Sequence, residues 1–151
     1  MKTMICFENM SYSPFNYEAC KEINKMVLES NEEISIAKFD ETLHFMDVNT
    51  AIFHASELDS FNNGIIITDT IKNAEQILSC ANNSIKVLYL YDLDWMYNKY
   101  SYDSIYKILT DKNLKLIVRS EDHSHPITNL CNRRPDAILK NFSLEKIWNS
   151  L

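Results

Sequence analysis

Short apolar runs alternate with amphipathic stretches along this chain of 151 residues. The apolar runs have the length of buried strands, and most of the stretches between them carry apolar side chains at helical spacing. This alternation is typical of α/β domains, in which helices cover both faces of a parallel sheet. The pattern therefore predicts an α/β fold.

The order of these segments predicts their approximate positions along the chain. The predicted strands lie near residues 3–8, 34–39, 50–55, 65–68, 85–91, 114–118 and 136–139. Helices are predicted to begin where a serine or threonine can cap the first turn, at Ser13, Thr70, Ser101 and Ser143. Two shorter helical pieces are predicted, from Glu41 to Asp47 and from Pro126 to about Asn132. We expect one three-layer Rossmann-like domain over residues 1–151, with a mostly parallel sheet of six or seven strands.

Gly64 is the one glycine of the chain. A loop whose backbone closes on a pyrophosphate needs several glycines, directly after a strand. Gly64 precedes a predicted strand, so it cannot build such a loop. The sequence therefore argues against a glycine-rich dinucleotide site.

Composition sets further bounds on function. The formal net charge is −6, so the surface as a whole does not attract nucleic acid. No apolar segment is long enough to span a bilayer, so we expect no membrane contact. None of the four cysteines lies in a CxxC pair or at zinc-ligand spacing. Buried thiols in a reducing compartment are the simplest interpretation, which predicts a cytoplasmic protein.

Polar residues follow most of the predicted strands. In an open parallel sheet, ligands bind outside the carboxyl ends of the strands, near the point where strand order reverses. We therefore expect a binding site among the residues after the strand ends: Glu8, Asn9, Asp69, Asp92, Asp94, Trp95, Arg119, Ser120 and His123.

Two carboxylates, Asp92 and Asp94, directly follow a predicted buried strand. Together with Glu8 they could hold a divalent cation through oxygen ligands. In the alternative interpretation they cap a turn, because aspartate is a common turn residue. No cofactor is expected otherwise.

The segment after the sixth predicted strand carries His123 and His125. Either histidine could act as a base or bind a ligand, and spacing alone does not separate them. The same segment is also a good helix entry. Arg119 could reach a phosphate or carboxylate, or pair with a neighbouring acid.

Three stretches together resemble the N-terminal half of a GT-B glycosyltransferase, of the phage or bacterial type. They are Asn63–Thr70, Ile85–Trp95 and Leu116–His123, and the closing residues 138–142 resemble the strand that leads such a domain into its partner. The resemblance implies an acceptor-side domain, in which His123 is the base and Asp92, Asp94 and Trp95 shape the acceptor pocket. It also implies a second, donor-binding domain or chain.

Three functions follow as hypotheses. The first is a glycosyltransferase-like protein that binds a sugar or a nucleotide-bearing acceptor. The second is a non-catalytic Rossmann-like binding or regulatory module, whose partner could be a second copy of the chain. The third is a metal-dependent phosphohydrolase or nuclease built on Glu8, Asp92 and Asp94. The chain differs from many GT-B glycosyltransferases in lacking a glycine-rich turn after the first predicted strand, which bears on the first hypothesis.

Overall fold

Seven strands form the sheet in a computed structural model that describes all 151 residues. The strands are β1 (Lys2–Phe7), β2 (Glu33–Lys38), β3 (Ala51–His54), β4 (Ile65–Thr68), β5 (Ile85–Leu90), β6 (Leu114–Val118) and β7 (Ala137–Ile138). Their order is β3-β2-β1-β4-β5-β6-β7, and every neighbouring pair is parallel. The predicted α/β fold is confirmed, and the sheet is parallel throughout.

Five helices connect or follow the strands. They are α1 (Pro14–Glu29), α2 (Ile71–Ser79), α3 (Tyr102–Thr110), α4 (Glu121–Cys131) and α5 (Leu144–Trp148). Each begins at a hydroxyl side chain that accepts a hydrogen bond from a backbone N–H of the first turn, the caps being Ser13, Thr70, Ser101, Ser120 and Ser143. Two short 3₁₀ turns cover Ala55–Ser60 and Asp94–Met96. None of the helices has the length and apolar composition needed to cross a membrane.

The helices cover both faces of the sheet. Side chains alternate along β1, so that Met4 and Cys6 face α2, α3 and α4, whereas Ile5 and Phe7 face α1 and α5. The central strands are buried on both sides, which explains why their sequences are continuous apolar runs. Burial of each large aliphatic side chain stabilises the fold by about 1.5–3 kcal/mol.

The cysteines form no disulfide. Cys6, Cys20 and Cys131 are buried, and Cys80 is half-buried. The expectation of buried thiols therefore holds for three of the four.

Two helix predictions are wrong. Residues 41–47 form an irregular connection, in which Leu43 is 92% exposed while Phe45 and Met46 pack on the α1 side of the sheet. That segment lacks a continuous apolar stripe, and the backbone N–H of Phe45 instead donates to the Met10 carbonyl. The helix expected from Pro126 begins five residues earlier, because the Ser120 cap and two acidic residues favour a helix start there.

Gly64 lies where the chain enters β4 beside the start of β1. A Cβ atom at this position would stand 2.7 Å from the Lys2 carbonyl oxygen and 2.7 Å from the Phe61 ring. Glycine is therefore required here for close approach of the backbone to its neighbours, since both distances are well below van der Waals contact.

We predict that Gly64→Ala lowers the free energy of unfolding by about 1–3 kcal/mol, because the new methyl group must displace backbone or a buried ring. Urea denaturation measures the change. The exposed Glu75→Ala substitution on α2 is the control and should stay within about 0.5 kcal/mol of the parent. Equal stability of the parent and Gly64→Ala would contradict this packing.

Candidate functional site

A polar crevice lies where the strand order reverses, between the carboxyl ends of β1 and β4. Its volume is about 210 Å³, and no hydrophobic residue lines it. The lining residues are Glu8, Asn9, Ser11, Ser13, Asn16, Asp69 and Thr70. They come from the segment after β1, the first turn of α1 and the residues after β4, which is the edge at which open parallel sheets bind ligands.

The wall after β1 is held in place by the side chain of Asn16. Its Nδ2 donates to the carbonyl oxygens of Asn9, at 3.1 Å, and Ser11, at 2.8 Å. The Met10 amide donates to Thr42 Oγ1 at 3.1 Å. Because Asn16 is buried and both of its contacts are to backbone, this wall of the crevice is preorganised.

Asp69 is the carboxylate at the end of β4. Burial raises its pKa from 3.8 to about 7, and the nearby carboxylates of Asp94, Glu8 and Asp92 add to the increase. A hydrogen bond from the backbone N–H of Asp69 to its own carboxylate opposes this increase in pKa. Asp69 is therefore partly protonated at neutral pH and can both donate and accept a hydrogen bond.

Asp94 lies beside this carboxylate, and both of its oxygens are buried without a hydrogen-bond partner of normal geometry. Burial raises its pKa, although the Tyr100 hydroxyl and the amides of Ile71 and Trp95 lie close enough to oppose the rise. Ile71 is the first residue of α2. The N-terminus of α2 is thus covered by a side chain of the chain itself.

Glu8 forms the outer edge of the crevice. Its Oε1 accepts a hydrogen bond from Lys72 Nζ at 2.6 Å, and both side chains are about half exposed. An ion pair with this exposure contributes little to stability, on the order of 1 kcal/mol or less. Its effect here is to place one positive charge beside the acidic group.

The remaining residues predicted after β5 do not line the crevice. Asp92 is exposed, and Trp95 is partly buried against the core on the α2 side of the sheet. No group of three or more His, Cys, Asp or Glu side chains is arranged to hold a metal ion. The arrangement gives no support to a cation site built on Glu8, Asp92 and Asp94.

The residues predicted after β6 lie two strands away from the crevice. Ser120 caps α4 by accepting from the His123 amide at 3.3 Å, and His123 Nδ1 is buried without a hydrogen-bond partner. The Arg119 guanidinium stacks over the Tyr91 ring at 4.3 Å. His125 is exposed on α4. The structure therefore brings Glu8, Asn9 and Asp69 together and leaves His123, Arg119 and Ser120 apart from them.

Three residues that line the crevice were not among those expected from the sequence: Ser11, Ser13 and Asn16. The sequence indicated Ser13 only as a helix cap, although a cap that follows a strand also lies at the ligand-binding edge of the sheet. Asn16 carried a usable signal, because a polar residue stands among the positions of α1 that are otherwise apolar and buried.

Comparisons with protein-family models, with curated proteins and with solved structures found no match to this chain.

We predict that the contribution of Asp69 to stability falls as pH rises from about 4 to about 7, because in this range native Asp69 holds a proton that the unfolded chain has lost. Asp69→Asn removes this titration, and its stability should fall less over the same range, by on the order of 2 kcal/mol. Urea denaturation at a series of pH values measures the difference.

The exposed Asp47→Asn substitution in the irregular connection after β2 serves as the control for this series and should follow the parent curve. Parallel curves for the parent and Asp69→Asn would mean that Asp69 titrates as an ordinary carboxyl group.

Proposed function

We propose that this protein is a glycosyltransferase-like, acceptor-side domain that binds a sugar in the crevice between β1 and β4. The observation that carries the proposal is the lining of this crevice, which consists entirely of hydroxyl, amide and carboxyl side chains on a preorganised wall. Sugars present several hydroxyl groups, each a donor and an acceptor, and such a lining matches them.

The same lining disfavours phosphate. Glu8 and Asp69 place two acidic groups at the crevice, and Asp94 covers the N-terminus of α2, where a phosphate would otherwise find free backbone N–H groups. No glycine lies in these loops to let a phosphate approach the backbone. A neutral or amine-bearing ligand suits this crevice best.

Asp69 is the residue best suited to act on a bound hydroxyl group. With a pKa of about 7 it can accept the proton of an acceptor hydroxyl as that oxygen attacks the anomeric carbon of a nucleotide sugar. The bond between the anomeric carbon and the phosphate oxygen breaks, and the nucleoside diphosphate leaves with its electron pair. In this scheme Asp69 takes the role that the family resemblance implied for His123.

The donor would be supplied by a second domain or chain. A non-catalytic binding module is the second candidate, and it is favoured by the separation of His123 from the crevice. Both candidates share the sugar-binding crevice and differ only in the transfer step.

We predict that a panel of neutral and amino sugars contains ligands that shift the amide resonances of residues 8–16 and 69–70 in NMR titrations. Asp69→Asn keeps the shape of the side chain and should weaken binding about tenfold or more, because the charged acceptor is lost. Asp122→Asn is the matched control, and it should bind like the parent.

Absence of saturable shifts at these residues with every sugar would contradict the proposal, as would equal affinity of the parent and Asp69→Asn. Product formation from a nucleotide sugar, once a donor-binding partner is supplied, would distinguish transfer from binding alone.

A further inference from the structure

A second cavity lies on the other side of the first turns of α1. It is a groove of about 590 Å³ between α1 and residues 141–142, and its aromatic walls are Tyr12, Tyr17 and Tyr91. Ser13 and Asn16 line the crevice, whereas Tyr12 and Tyr17 line the groove, so one segment of chain contributes to both cavities. The volume is in the range of small-molecule sites.

The inner part of the groove is rigid. Phe142 is buried at its base and packs edge-on against Phe15 and Tyr89, with ring centroids 5.3 Å apart in both pairs. The Tyr91 hydroxyl donates to Glu18 Oε1 at 3.1 Å, and the Tyr91 ring carries the Arg119 guanidinium on its face. Tyr91 is thus fixed in orientation from two sides.

The outer part presents exposed aromatic surface. Tyr17 is 46% exposed and Tyr12 is 69% exposed, and their ring centroids are 6.5 Å apart. The edge-on contact of Tyr12 with Phe45, at 5.7 Å, supports this ring from behind. Rings held in this way offer apolar faces on which a planar or sugar ring can stack.

The charged residues that line the groove are two glutamates and two lysines. Its two carboxylates are bound within the chain: Glu18 accepts from Tyr91, and Glu22 Oε1 accepts from the Leu144 amide at 3.2 Å. Of its two lysines, Lys25 forms an ion pair with Glu29 at 3.8 Å, whereas Lys21 forms no ion pair with any acidic group. The ammonium group of Lys21, beside three tyrosines, is therefore available to an anionic ligand.

We propose that the groove binds a phosphorylated ring, either a nucleotide or a sugar phosphate. The ring stacks on the exposed face of Tyr17, and the phosphate meets the ammonium group of Lys21 at the outer side of α1. Lysine is a common phosphate partner, and a hydrogen bond to a charged group is stronger than one between neutral groups. This site differs from the crevice in both place and charge, and it does not depend on the sugar-binding proposal.

Isothermal titration calorimetry with uridine 5′-monophosphate, glucose 6-phosphate, uridine and inorganic phosphate tests the site on the full chain. We expect saturable binding of at least one of the two phosphorylated rings. The ring without phosphate and the phosphate without ring should each bind about tenfold more weakly or worse. Tighter binding of uridine 5′-monophosphate assigns a nucleotide to the groove, and tighter binding of glucose 6-phosphate assigns a sugar phosphate.

Two exposed substitutions separate the contributions of charge and stacking. Lys21→Gln and Tyr17→Ala should each weaken binding about tenfold while leaving the melting temperature unchanged. Lys107→Gln, which removes an exposed cation from α3 on the opposite face of the sheet, is the control and should bind like the parent.

Asp69→Asn should also bind the phosphorylated ring like the parent, which keeps this test separate from that of the crevice. No saturable binding of either phosphorylated ring would overturn the proposal. Binding that is equally strong in Lys21→Gln and in the parent would overturn it as well.

Discussion

The reversal of strand order between β1 and β4 is the constraint on which the rest of the structure depends. β2 and β3 extend from β1 in one direction, and β5, β6 and β7 extend from β4 in the other. The chain therefore leaves β1 on one face of the sheet, through α1, and leaves β4 on the opposite face, through α2. The two connections diverge, and the crevice is the space that they leave at the carboxyl ends of these strands.

The same constraint determines the electrostatics of the crevice. β1 and β4 are buried on both faces, so the first polar side chains after them emerge from a core that water does not reach. Asp69 and Asp94 lie close together at this boundary, and burial raises the pKa of both. Other sheets of this kind place a phosphate at the start of a helix here. In this chain, carboxylates occupy that edge, which is consistent with a ligand rich in hydroxyl groups.

Much of the fold was predictable, because apolar runs, helical spacing and capping residues all point to the same arrangement. The order of the strands was not predictable, since the pairing of segments that are distant along the chain leaves no signal in the local sequence. The same holds for the residues near the site. The sequence placed Glu8, Asn9 and Asp69 at a shared edge of the sheet, but their separation from His123 depends on the order of β4, β5 and β6. The helix predicted over residues 41–47 is absent, because in so short a segment apolar side chains such as Phe45 and Met46 can cover the core from an irregular backbone.

The ionisation of Asp69 is the most direct test of this account, because it depends on burial and on the carboxylates that the strand reversal brings together. A ¹³C NMR titration of the Asp69 carboxyl carbon measures it. We expect a midpoint of about 7, and a lower midpoint after Asp94→Asn removes a neighbouring charge. A midpoint of about 4, the ordinary value for an exposed aspartate, would contradict it.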